Sequence, residues 1–362
     1  MLSTRITSVS LDGFRNLRNV QFAPAPNANV FIGPNGAGKT SLLEAIDYVA
    51  TLRSFRGGTR ETVIAHDAER ASLAMRVDAG SVPHEFRVVL GRGSRESEVD
   101  GKRPTHAIGW YGIASCVVFQ PQDLEIVRGA PDIRRRYLDR MLVRCVDGYG
   151  EWLRTYTRAL KSRNAVLRGD SSDARAVRAY DAMLATTGAH IVAERTRAAR
   201  DLVELVQTGA GQLGFGEHGL TARYVSRAPE DESEFAVALT RSYANDVLRR
   251  TTTLGPHGDD VRIEFDGRPA RSVASQGQTR AIALALRLAE IQLLRQRSSG
   301  RTPFLLLDDV SSELDRDHTN RLFALVDQLS AHVWMTTTDP AIAALLPRAK
   351  LWNVDAGAVT PT

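Results

Sequence analysis

The stretch Asn29-Val30-Phe31-Ile32-Gly33-Pro34-Asn35-Gly36-Ala37-Gly38-Lys39-Thr40 decides the fold of this 362-residue chain. Its first four residues include an apolar run that predicts a buried strand, and Ser41–Val49, which follows it, has apolar residues at helical spacing. A glycine-rich loop with the spacing Gly-x4-Gly-Lys-Thr between a strand and a helix is the phosphate-binding P-loop. We therefore expect an α/β fold in which this loop binds ATP.

Each part of the loop has a chemical role in this prediction. Glycines allow successive backbone N–H groups to face phosphate oxygens, and the helix that begins near Lys39 adds the positive end of its dipole. We expect Lys39 to reach the β and γ phosphates and the Thr40 hydroxyl to help hold Mg²⁺. Only four of the 47 basic residues are lysines, so the lysine here indicates a need for a compact ammonium group. The predicted nucleotide-binding residues are Gly33, Pro34, Asn35, Gly36, Ala37, Gly38, Lys39 and Thr40.

A second apolar strand, Phe304–Leu307, is followed by two carboxylates, Asp308 and Asp309. A strand that ends in acids beside a P-loop is the Walker B arrangement. We expect Asp308 to support Mg²⁺ through water and Asp309 to orient or deprotonate the water that attacks the γ-phosphate. Paired acids after a strand also occur in helix-capping turns, but the run of four apolar residues favours the metal-binding interpretation.

Between these motifs the character of the sequence changes. From about residue 131 to residue 213, proline and glycine become rare, and Arg, Ala, Leu and Glu recur with helical periodicity. We expect an ATPase core built from residues 1–123 and 251–362, with residues 124–250 inserted as a helical lobe. Arginine-rich helices are usually solvated faces, and a DNA-facing role is the less frequent one.

Composition predicts a folded cytoplasmic protein. Apolar residues make up 43% of the chain and charged residues 25%. No stretch approaches the ~18 to 20 apolar residues that a membrane-spanning helix requires, and the N-terminus lacks the pattern of an export signal. Cys116 and Cys145 have neither metal-binding nor redox spacing. The net charge of +5 is compatible with a polyanionic partner without establishing one.

The segment Ser275-Gln276-Gly277-Gln278 directly precedes a predicted helix, Thr279–Arg297, and resembles the signature motif of ABC-type ATPases. In that family the Ser and Gly backbone groups, together with a helix N-terminus, bind the γ-phosphate held by the opposite subunit. By this resemblance Ser275, Gln276, Gly277 and Gln278 contact the nucleotide of a second protomer, so an isolated chain has an incomplete site.

Two further stretches resemble motifs of the same ATPases, and a third stands where one of their motifs is expected. Ser311–Asp315 resembles the D-loop, and Gln120–Leu124 resembles the Q-loop, in which we favour Gln122 slightly over Gln120 as the residue that senses the γ-phosphate. Thr336-Thr337-Thr338-Asp339 stands where the switch histidine is expected after the last core strand. Thr and Asp still offer hydrogen bonds to phosphate or water, and we expect slow turnover.

The full set of motifs resembles the family of bacterial recombination mediators named RecF, along essentially the whole chain. Two of the matching stretches are more specific to that family than the ATPase motifs: the one that begins at Gly129 and the one that begins at Gly255. The second of these carries most weight. The stretches are Phe14-Arg15-Asn16, the P-loop with Ser41–Ile46, Gln122-Asp123-Leu124, Gly129-x-Pro131-x3-Arg135-Arg136-x-Leu138-Asp139, Gly255-Pro256-His257-x-Asp259-Asp260, Ser275–Gln278 and Leu306–Val310.

This resemblance implies an ABC-type, SMC-like ATPase head in which the helical insertion forms a second lobe in place of a coiled coil. It also implies an ATP-dependent homodimer, binding of double-stranded DNA and slow DNA-stimulated ATP hydrolysis. The implied partners are the RecO and RecR mediators, with which such a protein helps to load recombinase at gapped DNA.

Three other functional classes share parts of this motif set. A transporter's nucleotide-binding subunit is disfavoured by the positive charge, the missing switch histidine and the length of the helical segment. An SMC-like head of a nuclease or defence system usually carries an appended nuclease domain, and the sequence after residue 345 is too short for one. A binding module in which ATP is only structural is disfavoured by Asp309.

Overall fold

The computed structural model describes residues 4–80, 82–104, 110–111, 113–169, 173–212, 219–298, 301–309, 320–325, 332–341, 346 and 348–362. Among the described helices, none is both long and apolar enough to cross a membrane. The strands are β1 (Thr4–Asp12), β2 (Val20–Phe22), β3 (Ala28–Ile32), β4 (Arg70–Ala79), β5 (Val82–Gly91), β6 (Ser94–Val99), β7 (Cys116–Phe119), β8 (Leu220–Val225), β9 (Asp260–Phe265), β10 (Arg268–Pro269), β11 (Phe304–Asp308), β12 (Val333–Thr337), β13 (Ala349–Asp355) and β14 (Ala358–Pro361). The helices are α1 (Lys39–Thr51), α2 (Arg60–Val63), α3 (Leu124–Arg128), α4 (Pro131–Cys145), α5 (Tyr149–Arg168), α6 (Ala174–Arg178), α7 (Asp181–Gln212), α8 (Glu232–Arg249), α9 (Ala270–Val273) and α10 (Gln276–Arg297), with 3₁₀ turns at Pro121–Asp123 and Pro256–Gly258.

The chain divides into two compact units. The core unit comprises Met1–Leu124, Thr208–Glu217 and Gln276–Thr362, and the helical unit comprises Glu125–Gln207 and His218–Ser275. The helical unit thus continues to Ser275, whereas the sequence led us to expect its end at residue 250. The difference arises because β8, β9 and β10 pair with one another, in the order β10-β9-β8, and β9 contacts α4.

The core unit contains two sheets. One has the order β14-β13-β3-β12-β11-β7, in which β13, β3, β12, β11 and β7 run parallel and β14 forms an antiparallel edge. Its central strands β3, β11 and β12 are almost entirely buried, as expected of parallel strands covered on both faces. The other sheet is antiparallel, with the order β2-β1-β4-β5-β6.

Helix α1 packs between these two sheets. It contacts β4 and β5 of the antiparallel sheet and β7, β11 and β12 of the parallel sheet. Every residue from Ser41 to Ala50 is buried, so the helix is covered on all sides although its sequence includes Glu44 and Asp47. A helix surrounded in this way has no solvated face for its charges, which must therefore find partners inside the protein.

Most predicted elements are confirmed, with small shifts of their ends. The predicted helix Thr279–Arg297 begins earlier, at Gln276, so part of the signature-like motif lies in its first turn. The helical periodicity of Ala174–Gln207 predicts a single helix, and this is wrong in detail: the stretch forms two helices, α6 and α7, separated at Ala179-Tyr180. The break carries neither Gly nor Pro to mark it in the sequence. The sequence also predicts a helix over Asp317–Leu329, and most of that stretch lies outside the described residues.

Candidate functional site

Three neighbouring parallel strands bring the predicted site residues to one edge of the sheet. β12 lies between β3 and β11, so the carboxyl ends of all three strands meet there. The register pairs Asp308 with Thr336 and Ile32 with Thr337. The P-loop follows Ile32, and therefore reaches the same edge as Asp308 although the two motifs are far apart in sequence.

The backbone of the loop requires glycine at two positions. A Cβ at Gly33 would lie 2.1 Å from the carbonyl oxygen of Val354, so the loop crosses β13 too closely for a side chain. Gly38 has φ +114°, a conformation that L-residues rarely adopt, and it is the N-cap of α1 without a side-chain cap. Close packing and backbone conformation thus explain the glycines that the spacing had selected.

The start of α1 is an anion-binding arrangement. The Leu42 N–H donates to Gly38 O at 2.9 Å, which closes the first helical turn. Among the described residues, the N–H groups of Gly38, Lys39, Thr40 and Ser41 have no backbone or side-chain acceptor. Unsatisfied N–H groups at a helix N-terminus, together with the positive end of the helix dipole, are what a phosphate group requires.

Lys39 lies inside this arrangement. Its Nζ donates to the carbonyl oxygens of Gly33 at 2.7 Å and Pro34 at 2.9 Å. Burial lowers the pKa of the Lys39 ammonium, while the negative charges of Asp309 and Asp308 act in the opposite direction. The ammonium is therefore held by the loop itself and lies in the field of the two carboxylates at the end of β11, Asp308 and Asp309.

Asp308 is bound by two hydroxyls. Thr40 Oγ1 donates to Asp308 Oδ1 at 2.9 Å, and Thr336 Oγ1 donates to the same oxygen at 2.8 Å. Burial raises the pKa of the Asp308 carboxyl above its usual value, and the two hydroxyl hydrogen bonds lower it in part. The Asp309 N–H in turn donates to Thr336 Oγ1 at 3.0 Å, with Asp309 at φ +50°. Thr336 therefore connects the two acids.

The oxygen atoms of Thr40 and Asp308 fit a magnesium ion. Mg²⁺ prefers oxygen ligands and is usually bound by one or two protein groups together with substrate phosphates. Within the described residues, no group of three or more His, Cys, Asp and Glu side chains could hold a metal on its own. The donor set thus matches a metal that a nucleotide helps to bind.

A cavity of about 1090 Å³ opens over these groups, which is large enough for a nucleotide. Arg15 and Arg56 also line it, and both contact the buried carboxylate of Glu44. Arg15 binds Glu44 through two nitrogens, Nη2 at 2.7 Å and Nε at 3.0 Å, whereas Arg56 Nη1 lies at 3.5 Å. Ser54 Oγ donates to the same carboxylate at 2.5 Å.

Comparison with known proteins identifies the family. A family model described as AAA domain matches residues 8–104. The DNA replication and repair protein RecF of Myxococcus xanthus (strain DK1622) is 37% identical over 349 residues, which cover 93% of this chain and 92% of that protein. The chain belongs to the RecF family.

Two solved structures are similar to this chain. One, of the recombination mediator protein RecF with ATP in the RecFOR pathway, has a TM-score of 0.89 and 26% identity, covering 100% of this chain and 98% of that one. An Smc head domain from Pyrococcus furiosus, bound to a ScpA domain, has a TM-score of 0.56 and 15% identity, covering 99% and 96%. The latter shows the fold alone. The predicted fold, an ABC-type, SMC-like ATPase head with a helical second lobe, is therefore confirmed.

Within this RecF-family chain, other predicted site residues lie away from the cavity. Gln122 is exposed in the 3₁₀ turn after β7, and neither it nor the buried Gln120 lines the cavity. Gln276 and Gly277 are exposed in the first turn of α10 and do not line it either. Ser311–Asp315, the predicted D-loop, lies outside the described residues. The roles of Gln122 and the signature-like residues stay predictions.

Sequence reasoning missed three contributors to this RecF-family site. The sequence shows Thr336 only as part of a stretch that replaces a switch histidine, whereas its place at the end of β12 puts it next to Asp308. The sequence places Glu44 only within a predicted helix, because burial of the whole helix is not visible in the spacing of its apolar residues. Arg56 carried no motif, and its proximity to Glu44 is a tertiary contact.

Proposed function

We propose that this chain is an ATP-dependent DNA-binding protein of recombinational repair and replication restart, in which ATP hydrolysis acts as a switch. The observation that supports it best is the joint placement of Lys39, Thr40, Asp308 and Thr336 at the edge of the sheet, beside N–H groups without acceptors. The similarity to a RecF structure with ATP supports the choice of nucleotide.

The residues of the site have separate roles in this proposal. Lys39 and the N–H groups of the loop neutralise and orient the phosphates of ATP. Thr40 and Asp308 hold Mg²⁺, which supplies positive charge for the β and γ phosphates when bound. Asp309 accepts a proton from the attacking water or orients it, and Thr336 fixes the backbone from which Asp309 extends. Because Asp308 is already hydrogen-bonded to both threonine hydroxyls, this part of the site is preorganised.

The signature-like segment completes the site of a second copy of the chain. Its residues Gln276 and Gly277 are exposed at a helix N-terminus and do not line the cavity in their own core unit. The N-terminus of a helix can bind an anion, and this one lies away from the phosphate site of its own chain. It can therefore bind the nucleotide held by a partner protomer. ATP then stabilises a homodimer, and loss of the γ-phosphate removes the shared anion and loosens it.

DNA is the partner that the switch controls. The relatives are DNA replication and repair proteins, and we propose double-stranded DNA, with gaps and junctions among its targets, bound without sequence preference. DNA accelerates a slow hydrolysis in this proposal. RecO and RecR are the proposed protein partners in loading recombinase, and the cytoplasm is the proposed location.

The experiment is ATP hydrolysis and analytical sedimentation, each with and without linear duplex DNA. We expect the wild type to dimerise with ATP and to hydrolyse faster on DNA. Asp309→Asn stays dimeric with ATP but does not hydrolyse, because the water is no longer activated while the phosphate contacts remain. Lys39→Arg does not hydrolyse, because a guanidinium does not replace the compact ammonium. A chain that stays monomeric with ATP, and whose hydrolysis DNA does not change, contradicts the proposal.

A further inference from the structure

One face of helix α5 carries a row of exposed cations. Arg154, Arg158, Lys161 and Arg168 are all exposed. Their spacing of four, three and seven residues places them on one side of an α-helix. We call these four residues the α5 stripe. Ala165, also exposed, lies on the same side and adds no charge.

The stripe is not neutralised by neighbouring acids. Glu151 is the only acidic residue in Tyr149–Arg168, and it lies 3.5 Å from Arg154 in an exposed pair. Within the described part of the chain, no ion pair involves Arg158, Lys161 or Arg168. A helix with like charges at these spacings repels itself, so the row is unfavourable for the isolated fold.

Two buried arginines of the helical unit have carboxylate partners. Arg134 binds Asp260 at 2.8 Å, and Arg195 binds Asp139 at 2.9 Å. These two ion pairs hold buried guanidinium groups, whereas the cations of the α5 stripe are exposed, and Arg158, Lys161 and Arg168 have no ion pair among the described residues.

The opposite side of α5 is firmly anchored. Arg163 is fully buried, and its nitrogens donate to Asp181 at 2.9 Å and to Asp246 at 2.7 Å. Asn164 accepts from the Thr252 N–H at 2.7 Å. The helix thus presents its cations from a fixed backbone, because its inner side is bound to α7, α8 and the segment after α8.

We propose that the α5 stripe binds the phosphate backbone of duplex DNA, an inference that rests on the proposed function. At a rise of 1.5 Å per residue, the stripe spans about 21 Å from Arg154 to Arg168. Duplex DNA carries one charge per ~1.7 Å of axis, so a row of this length meets several phosphates. Cations bind these phosphates without reading bases. The stripe therefore adds affinity that depends on salt and not on sequence.

The test compares two variants that each lose three positive charges. The stripe variant combines Arg158→Gln, Lys161→Gln and Arg168→Gln. The control variant combines Arg197→Gln, Arg200→Gln and Arg241→Gln, which replace exposed arginines of α7 and α8. Fluorescence anisotropy with a labelled 30-base-pair duplex is measured with ATP over a range of salt concentrations. We expect the slope of log K against log salt to become shallower by about 2.7 for each protomer that contacts DNA, and affinity at 0.1 M salt to fall about 100-fold or more. The control changes affinity less than about threefold.

The other outcomes are separable. Because the substituted side chains are exposed, thermal unfolding and ATP hydrolysis without DNA should match the wild type. If the stripe variant does not fold, the single variant Lys161→Gln tests the inference instead. Its slope of log K against log salt should become shallower by about 0.9. Arg158→Lys with Arg168→Lys should bind like the wild type, since phosphate contacts require charge. A folded stripe variant with the wild-type salt slope overturns the inference and leaves the proposed function standing. The inference is overturned in the same way if the stripe variant binds DNA normally but no longer binds an acidic protein partner. A wild type that does not bind duplex DNA contradicts the proposed function itself.

Discussion

Replacing Thr336 by valine is the sharpest test of the site, because its hydroxyl joins the two acids. Thr336 is buried, donates to Asp308 Oδ1 at 2.8 Å and accepts from the Asp309 N–H at 3.0 Å. Valine has nearly the same shape but no hydroxyl, so both hydrogen bonds are lost without creating a cavity. A hydrogen bond to a charged group contributes about 1.5–3 kcal/mol, and an unsatisfied buried N–H costs about 1–3 kcal/mol.

We therefore expect Thr336→Val to lower the free energy of unfolding by about 2–4 kcal/mol. Asp308 loses a donor that lowers its pKa, so the pKa of this carboxyl, already raised by burial, rises further. Asp309 loses the contact that fixes its backbone, and we expect ATP hydrolysis to fall about 10- to 100-fold, an effect equivalent to about 1.4–2.8 kcal/mol. Nucleotide affinity should change less, because the N–H groups at the start of α1 are unaffected.

The assays are steady-state ATP hydrolysis, binding of a fluorescent ATP analogue and unfolding in urea. Thr337→Val is the matched control: this buried neighbour exchanges hydrogen bonds with Asp339 and has none with Asp308 or Asp309 among those described. Thr336→Ser restores the hydroxyl and should recover hydrolysis. Wild-type hydrolysis by Thr336→Val, or an equal defect in Thr337→Val, would refute the reasoning.

Three further outcomes test the core unit. Lys39→Met should weaken ATP binding about 100-fold or more, by loss of a charge-assisted phosphate contact, while Lys102→Met, at an exposed turn, leaves it unchanged in the same titration. Glu44→Gln should lower the free energy of unfolding by about 2–3 kcal/mol, because Arg15 loses its two-nitrogen contact with a buried carboxylate; unfolding in urea that matches the wild type contradicts this. Burial lowers the pKa of His332 to about 4 in the folded protein, so the unfolded state binds more protons between pH 6.5 and pH 4, and stability should fall by about 2 kcal/mol from pH 7 to pH 5. His332→Gln should flatten that pH dependence in urea titrations, and an unchanged curve excludes His332 as its source.

The parts of the site that follow from backbone spacing could be predicted. The P-loop, its flanking strand and helix, and the strand before Asp308 each have a local pattern, and each was found where the sequence placed it. The parallel sheet then brings them together, because strands that end in a loop or an acid meet at one edge.

The parts that depend on tertiary burial could not be predicted. Glu44 lies in a helix whose spacing suggests one solvated side, but two sheets cover that helix and turn the carboxylate into an internal anchor for Arg15. The end of the helical unit was also misplaced. β9 lies beyond the expected end at residue 250, and only its pairing with β8 assigns it to the helical unit.

The order of strands in the parallel sheet has a consequence for synthesis on the ribosome. β3 carries the P-loop, yet both of its neighbours, β12 and β13, come from beyond residue 332. A nascent chain that has emerged only as far as the helical unit holds an apolar strand with two unpaired edges, the kind of segment that invites aggregation. The helical unit, in contrast, is complete at Ser275. It can therefore form its own core before the C-terminal part of the core unit has been synthesised.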